Sequence, residues 1–285
     1  MKLVRYGPVG QEKPGLIDGA GALRDLSGRV RDIDGATLAP ERLAELKAID
    51  PATLPKVPGN PRLGPPVAGV GKIVAVGLNF SDHAAESGME APAEPILFMK
   101  AVTALSGPND PVVIPPGAEK TDWEVELAIV IGSVARHVEE RHALSYVAGY
   151  TICNDVSERA YQLERLGQWV KGKSYDGFAP LGPWLVTTDE IPDPQSLRMW
   201  LEVNGERMQD GSTATMIFGV AHLVSYISRF MTLMPGDVIP TGTPPGVGMG
   251  RKPPRFLKPG DVMRLGIDGL GEQRQECVAW DAARA

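Results

Sequence analysis

Residues 122–131 alternate with a period of two: Trp123, Val125, Leu127, Ile129 and Ile131 fall on one face of an extended strand, and Glu124, Glu126, Ala128 and Val130 on the other. Short apolar runs predict further strands at 2–6, 15–18, 21–23, 70–76, 96–99, 112–114, 147–153, 184–187 and 198–203. Asn204-Gly205 is a hairpin turn signal after the last of these. Pro-Gly-Asp-Val occurs at 235–238 and again at 259–262, each copy placing Pro-Gly where a type II turn wants it and an apolar strand after it. Helical spacing is confined to 40–49, 219–233 and, more weakly, 158–167. The pattern predicts a strand-dominated α+β chain with long loops between strands.

Five prolines crowd into residues 55–66, which predicts a semi-rigid linker or an extended surface segment. It divides the chain into a small N-terminal domain, 1–68, and a larger domain, 69–285. A chain of 285 residues builds a substantial core easily. The high glycine and proline content favours turns and short strands over a helical bundle. A net charge of −6 argues against a nucleic-acid partner, which would need a basic face. No run is long and apolar enough to span a bilayer, and the N-terminus has no signal core. Two cysteines, Cys153 and Cys277, form neither a zinc spacing nor a disulfide framework. The expectation is a cytoplasmic protein with reduced thiols.

The chemistry-bearing positions lie at strand ends and in loops. Glu124 and Glu126 are side by side on one strand face that turns apolar two residues later. Like charges so placed repel one another and resist desolvation, and a bound cation removes both problems. Asp155 follows the apolar run at 147–153, where a strand would finish. Three carboxylates from neighbouring strands would make an all-oxygen site suited to Mg²⁺ or Mn²⁺. The competing reading is a solvated strand edge; Ala128 and Val130 on the same face count against solvent along its whole length. His83 and Glu86 stand at i and i+3 of a short turn between Gly77 and Gly88. A carboxylate there would fix the histidine tautomer and raise its basicity, while a solvated pair on an exposed turn is the plainer alternative. Lys100 ends an apolar strand and could simply snorkel. Lys171 and Lys173 sit in a glycine-containing loop that is either a solvated basic loop or one that faces an anionic substrate. The loop at 241–250 matches no nucleotide-binding fingerprint, though its hydroxyls and N–H groups could hold a carboxylate. His137, His142 and His222 receive no role, and no Gly-x-Ser-x-Gly elbow is present.

Taken in order, Gly-Leu-Asn-Phe-Ser-Asp-His-Ala-Ala-Glu, Pro-Ile-Leu-Phe-Met-Lys, Asp-Trp-Glu-Val-Glu-Leu, Cys-Asn-Asp-Val-Ser-Glu-Arg, Gly-Lys-Ser-Tyr-Asp and Thr-Gly-Thr-Pro-Pro-Gly-Val-Gly resemble the fumarylacetoacetate hydrolase family across nearly all of 70–270. The resemblance implies a mixed β-roll catalytic domain with Mg²⁺ or Mn²⁺ on Glu124, Glu126 and Asp155. It implies a water-activating His83–Glu86 dyad, an active-site Lys173, and a pocket lined by Lys100, Arg159, Gln162 and Thr243. It further implies a homodimer. Within the family the chain is most similar to bacterial members acting on diketo sugar acids, 2,4-diketo-3-deoxy-L-rhamnonate above all. The implied reaction is hydrolysis of the C3–C4 bond of a 2,4-dioxo acid, giving pyruvate and a second acid, here lactate. Two alternatives stand beside it. One is a 2-oxo acid decarboxylase, isomerase or ureidoglycolate lyase on the same metal–enolate platform; the other is a metal-binding protein without catalysis.

Overall fold

The computed structural model describes residues 1–82 and 90–280. The N-terminal part contributes β1 (Lys2–Tyr6), β2 (Lys13–Ile17), β3 (Leu23–Asp25), helix α1 (Pro40–Lys47) and β4 (Leu63–Gly64). There follow β5 (Ile73–Gly77), β6 (Ile96–Lys100), β7 (Leu105–Ser106), β8 (Val112–Ile114), β9 (Thr121–Asp122), β10 (Val125–Ile131), β11 (Val147–Asn154) and β12 (Ser157–Glu158). Two short helices, α2 (Arg159–Leu163) and α3 (Val170–Lys173), lead to β13 (Ala179–Thr187), β14 (Arg198–Val203) and β15 (Glu206–Ser212). Helix α4 (Val220–Ile227) precedes β16 (Val238–Pro240), β17 (Val262–Ile267) and β18 (Gly271–Ala279).

Among the described residues these strands form a mixed sheet in the order β3-β2-β1-β13-β11-β10-β16-β5-β6, with β4 and β7 attached off the path. A second sheet runs β15-β14-β17-β18-β8, and β9 pairs with β12. Strand β10 is central. Its Trp123-side face packs into the main core with residues of β5, β14, β17 and α4. On its other face Val130 joins the cluster built by the N-terminal part, which includes Leu3, Leu16, Leu26, Ile33, Leu38 and Leu46. Both faces are therefore dry, and the strand is buried throughout. A solvated edge is ruled out by this placement: Glu124 is 6% exposed and Glu126 1%.

Strand β1 hydrogen-bonds β13 with Leu3 opposite Leu185, so the first strands extend the same sheet as the rest of the chain. We keep the division at residue 68 as a proposal about folding units. The proline-rich stretch takes the extended-surface form, with β4 laid against β1 and Lys56 bridging Arg24. Both Pro-Gly copies form the expected turns. Asp237 N–H donates to Met234 O and Asp261 N–H to Lys258 O, each at 3.0 Å, and Gly236 and Gly260 hold φ of 91° and 93°, open to glycine at no steric cost. The helices end earlier than periodicity predicts: 219–233 shortens to Val220–Ile227 and 158–167 to Arg159–Leu163. The lysine loop contains one helical turn, α3, instead of irregular chain. No helix of the described residues is long and apolar enough to cross a membrane.

Candidate active site

The site forms where β10 and β11 run out of regular pairing. Glu126 lies opposite Cys153 in the antiparallel ladder, and Asp155 N–H donates to Glu124 O at 2.9 Å. This last bond draws the residue after β11 against the residue before β10. Glu124, Glu126 and Asp155 each offer a carboxylate oxygen, and the three oxygens lie within 4.8 Å of one another. All three side chains are buried.

Cations converge on them from three other elements. Lys173, at the end of α3 and 2% exposed, donates to Glu124 Oε2 and Asp155 Oδ2, both at 2.7 Å. Lys100, at the end of β6, donates to Asp155 Oδ1 and to Val156 O. It does not snorkel, being 2% exposed. Arg159, the first residue of α2, sends Nε to Asp122 Oδ2 at 2.9 Å and Nη1 to Gln162 Oε1 at 3.1 Å. Its Nη2 lies 2.7 Å from Glu124 Oε1. Thr243 donates its hydroxyl to Val125 O at 2.9 Å and accepts from Gln209 Nε2 at 2.8 Å. Gly242 N–H donates to Glu126 Oε2 at 2.9 Å.

Electrostatics separate the two strand glutamates. Burial works against ionising Glu124, but Lys173 and Arg159 outweigh it and hold the carboxyl down at about 2. Burial also acts on Glu126, and there the neighbouring charges of Asp155 and Glu124 act in the same direction. Its carboxyl is pushed well above the ordinary range, against the pull of Lys173 and the Gly242 N–H. Burial weakens the Lys173 ammonium, yet Asp155 and Glu124 more than restore it, so the amine stays charged and its pKa is raised.

The donor set can be tested against the metal implied by the sequence. Four buried carboxylates, those of Asp122, Glu124, Glu126 and Asp155, face three cationic side chains. Among the described residues Glu126 has one hydrogen-bond donor, a backbone N–H. An all-oxygen cluster with one acid in excess fits a hard divalent cation, and the residues present therefore fit Mg²⁺ or Mn²⁺.

A cavity of about 220 Å³ opens beside the carboxylates. Glu124, Glu126, Arg159, Gln162, Lys173 and Thr243 reach its wall. Asp155 and Lys100 stand behind it, joined through Lys173 and the carboxylate cluster. His83 and Glu86 lie outside the described residues. His222 pairs with Glu140 at 3.0 Å on helix α4. A wider groove, about 1140 Å³, runs past Lys56–Leu63 and Trp184, but its Arg62 and Asp110 are closed on each other at 2.6 Å. Size alone does not mark the site; convergent buried charge does.

Several positions at the site escaped sequence reasoning. Asp122 is fully buried and accepts from Arg159, Gly248 N–H and Met249 N–H, so it ties the arginine to the glycine-rich loop. Its place at the head of Asp-Trp-Glu-Val-Glu was the available signal. Phe98 and Trp169 meet edge to face at 5.3 Å beside Lys173, a contact between distant segments with no local signature. Leu78 lines the cavity with φ of 50°, a left-handed conformation that costs energy for a branched side chain.

Comparison with known proteins identifies the family. The family model described as fumarylacetoacetate (FAA) hydrolase C-terminal matches residues 72–278. A Burkholderia cenocepacia protein whose name provisionally calls it a hydrolase, with no substrate given, is 61% identical over 276 residues, covering 96% of this chain and 98% of its own. The crystal structure of maleylpyruvate hydrolase from Sphingobium sp. SYK-6, in complex with manganese(II) and pyruvate, superposes with a TM-score of 0.82 at 30% identity, over 99% of this chain and 100% of that one. The structure of 5-carboxymethyl-2-hydroxymuconate delta-isomerase from Mycobacterium smegmatis gives 0.78 at 34% identity, again over 99% and 100%. With its strand-dominated α+β architecture and this match across most of its length, the chain belongs to the fumarylacetoacetate hydrolase family.

Proposed function

We propose that the protein is a metal-dependent hydrolase that cleaves the C3–C4 bond of a 2,4-dioxo acid to pyruvate and a second carboxylic acid. Its sugar-acid substrate in this reading is 2,4-diketo-3-deoxy-L-rhamnonate, which gives pyruvate and lactate. The observation that carries the reading is the cluster of three buried carboxylate oxygens within 4.8 Å, opening on a small cavity with Lys173 and Arg159 at its wall. The relative that binds manganese(II) and pyruvate supports it.

Glu124, Glu126 and Asp155 would hold Mg²⁺ or Mn²⁺, which when bound supplies Lewis acidity and a template for a 2-oxo carboxylate. The remaining work falls to side chains. His83, oriented by Glu86, takes a proton from water as the water oxygen attacks C4. The C3–C4 bond breaks, and its electron pair is left on the pyruvate half as an enolate. Lys173 and Arg159 stabilise negative charge developing there more than they stabilise the neutral ketone. Protonation of C3 gives pyruvate; the acyl half leaves as an acid carrying the water oxygen. Gln162 and Thr243 line the pocket and fix the orientation of the bound acid.

Release of pyruvate from acylpyruvates, followed with a lactate dehydrogenase couple before and after dialysis against a chelator, tests the proposal. Activity lost on dialysis and restored by Mn²⁺ or Mg²⁺ is the expected result; turnover that survives dialysis overturns the metal role. A second reading, isomerisation of a 2-oxo acid on the same carboxylates, draws on the likeness to the isomerase. It predicts spectral change without release of pyruvate.

A further inference from the structure

One peptide group beside the carboxylates is held at both of its ends. The Gly242 N–H donates to Glu126 Oε2 at 2.9 Å, and among the described residues it is the one hydrogen-bond donor to that side chain. The carbonyl of the same peptide, Thr241 O, accepts from Asn79 Nδ2 at 2.8 Å. Asn79 is fully buried, and its amide is fully engaged: Nδ2 donates also to Phe218 O at 3.0 Å, and Oδ1 accepts from Phe218 N–H at 2.9 Å. These partners fix which way the amide lies, since the reversed group would set its oxygen against two carbonyls. Amide hydrogen bonds in series polarise one another. The chain from Phe218 N–H through the Asn79 amide and the 241–242 peptide therefore ends as a strengthened donor on Glu126.

The backbone explains how the amide comes so close. Asn79 follows Leu78, whose left-handed φ of 50° ends the extended run of β5. From there the chain runs along 215–218: Ile217 N–H donates to Asn79 O at 2.8 Å, Phe80 bridges Met216, and Ser81 Oγ donates to Thr215 O at 3.2 Å. Gly242 has φ of 97°, and a Cβ there would stand 2.9 Å from Asn79 Cβ, so the approach requires glycine. Thr241 and Thr243 donate their hydroxyls to Leu127 O and Val125 O, on either side of Glu126, and so tie the loop to β10. Those ties leave the peptide between them free to flip about a glycine. A flipped peptide would turn its carbonyl oxygen on the Glu126 carboxylate, and the Asn79 bond opposes that. We infer that Asn79 is a positioning residue for the metal centre: its amide sets the Thr241–Gly242 peptide, and through the Gly242 N–H it holds the Glu126 carboxylate where it ligates the ion. The inference rests on the metal-dependent reading above and adds to it a residue that does not line the cavity.

Asn79→Ala and Asn79→Ser test the inference, with Gln195→Ala as the control. Gln195 is another amide clamp at the start of α4, accepting from Val220 N–H at 2.7 Å and donating to Thr213 O at 3.3 Å, but its bonds lie off the chain that ends on Glu126. Mn²⁺ is titrated calorimetrically into the metal-free, full-length proteins, and the Mn²⁺ dependence of acylpyruvate hydrolysis is measured alongside. The Kd for Mn²⁺ should rise about 10–100-fold in both Asn79 variants and stay within about twofold of wild type in Gln195→Ala. Saturating Mn²⁺ should restore most of kcat to the Asn79 variants, because the reacting groups themselves are untouched. A folded Asn79 variant that binds Mn²⁺ with wild-type affinity overturns the inference; so does an equal loss in Gln195→Ala, which marks general loosening. If neither Asn79 variant folds, a crystal structure of the Mn²⁺-loaded wild type decides. A Thr241–Gly242 peptide released from Asn79, or with its N–H turned from Glu126, overturns the inference; both bonds kept with Glu126 on the ion support it. Weakened Mn²⁺ binding in the variants, with no acylpyruvate turned over by the wild type, sinks the hydrolase reading and leaves this inference standing. Metal-dependent turnover with unmoved Mn²⁺ affinity does the reverse.

Discussion

Glu126 is the residue on which the candidate centre is least balanced. Glu124 has Lys173 and Arg159, and Asp155 has Lys100 and Lys173, but among the described residues Glu126 has only a backbone N–H from Gly242. Its raised pKa means that the folded protein without metal holds a proton that the unfolded chain releases at lower pH. Stability without metal therefore falls as pH rises from the acid range through that raised value. Glu126→Gln keeps the shape and the Gly242 bond while removing the repulsion. In chelator-treated protein at pH 8 it should raise Tm, each kcal/mol of relief corresponding to about 2–4 °C. The same variant should lose the Tm increase that Mn²⁺ gives the wild type. A variant still stabilised by Mn²⁺ would remove Glu126 from the proposed ligand set. His83 makes a different prediction. His83→Ala should cut kcat by roughly 10²–10⁴-fold and leave Mn²⁺ binding intact; wild-type turnover would end its assignment as base.

At the scale of elements, the site is a junction of segments far apart in the chain. The residues around β10 and β11 supply the carboxylates, α2 and α3 supply Arg159 and Lys173, and the loop after β16 supplies Gly242 and Thr243. Close approach makes the junction sensitive at Gly77, where β5 ends beneath Trp169. A methyl group there meets Cζ3 at 2.5 Å and Cη2 at 3.0 Å. Gly77→Ala should displace the indole, cost about 1–3 kcal/mol and raise KM more than it lowers kcat. Denaturant melts and steady-state kinetics on one preparation check both parts. An unchanged KM would mean that Trp169 does not shape the substrate end of the cavity.

Across the whole molecule, burial of thiols contributes to an alkaline limit, alongside buried tyrosines such as Tyr6 and Tyr150, whose hydroxyls burial also raises. Cys277 lies in the core on β18, and burial first, then the charges of Asp261 and Glu276, push its thiol from an ordinary 9.0 up to about 12. Cys153 is raised in the same direction by burial beside Asp155. Above pH 9 the unfolded chain gives up these protons and the folded one keeps them. Stability present below that value is thus lost progressively toward pH 12. A series of Tm values from pH 8 to 11 should fall, and should fall less steeply in Cys277→Ala. Parallel curves would place the alkaline limit on other groups.

The sequence by itself determined what depends on near neighbours. Period-two alternation fixed which side chains share a face of β10. The Pro-Gly pairs fixed two turns, and the order of short motifs pointed to the family. Lys100 and Lys173 were visible as candidates, but their plain alternatives, snorkelling and a solvated loop, were equally legible, because burial is not a local property. Only the tertiary structure decided that the second face of β10 is covered by the N-terminal cluster, that Asp122 anchors Arg159 to the glycine-rich loop, and that Phe98 and Trp169 meet to form a wall. Those contacts join residues tens of positions apart, and their energy comes from excluding water between surfaces that no window of sequence brings together.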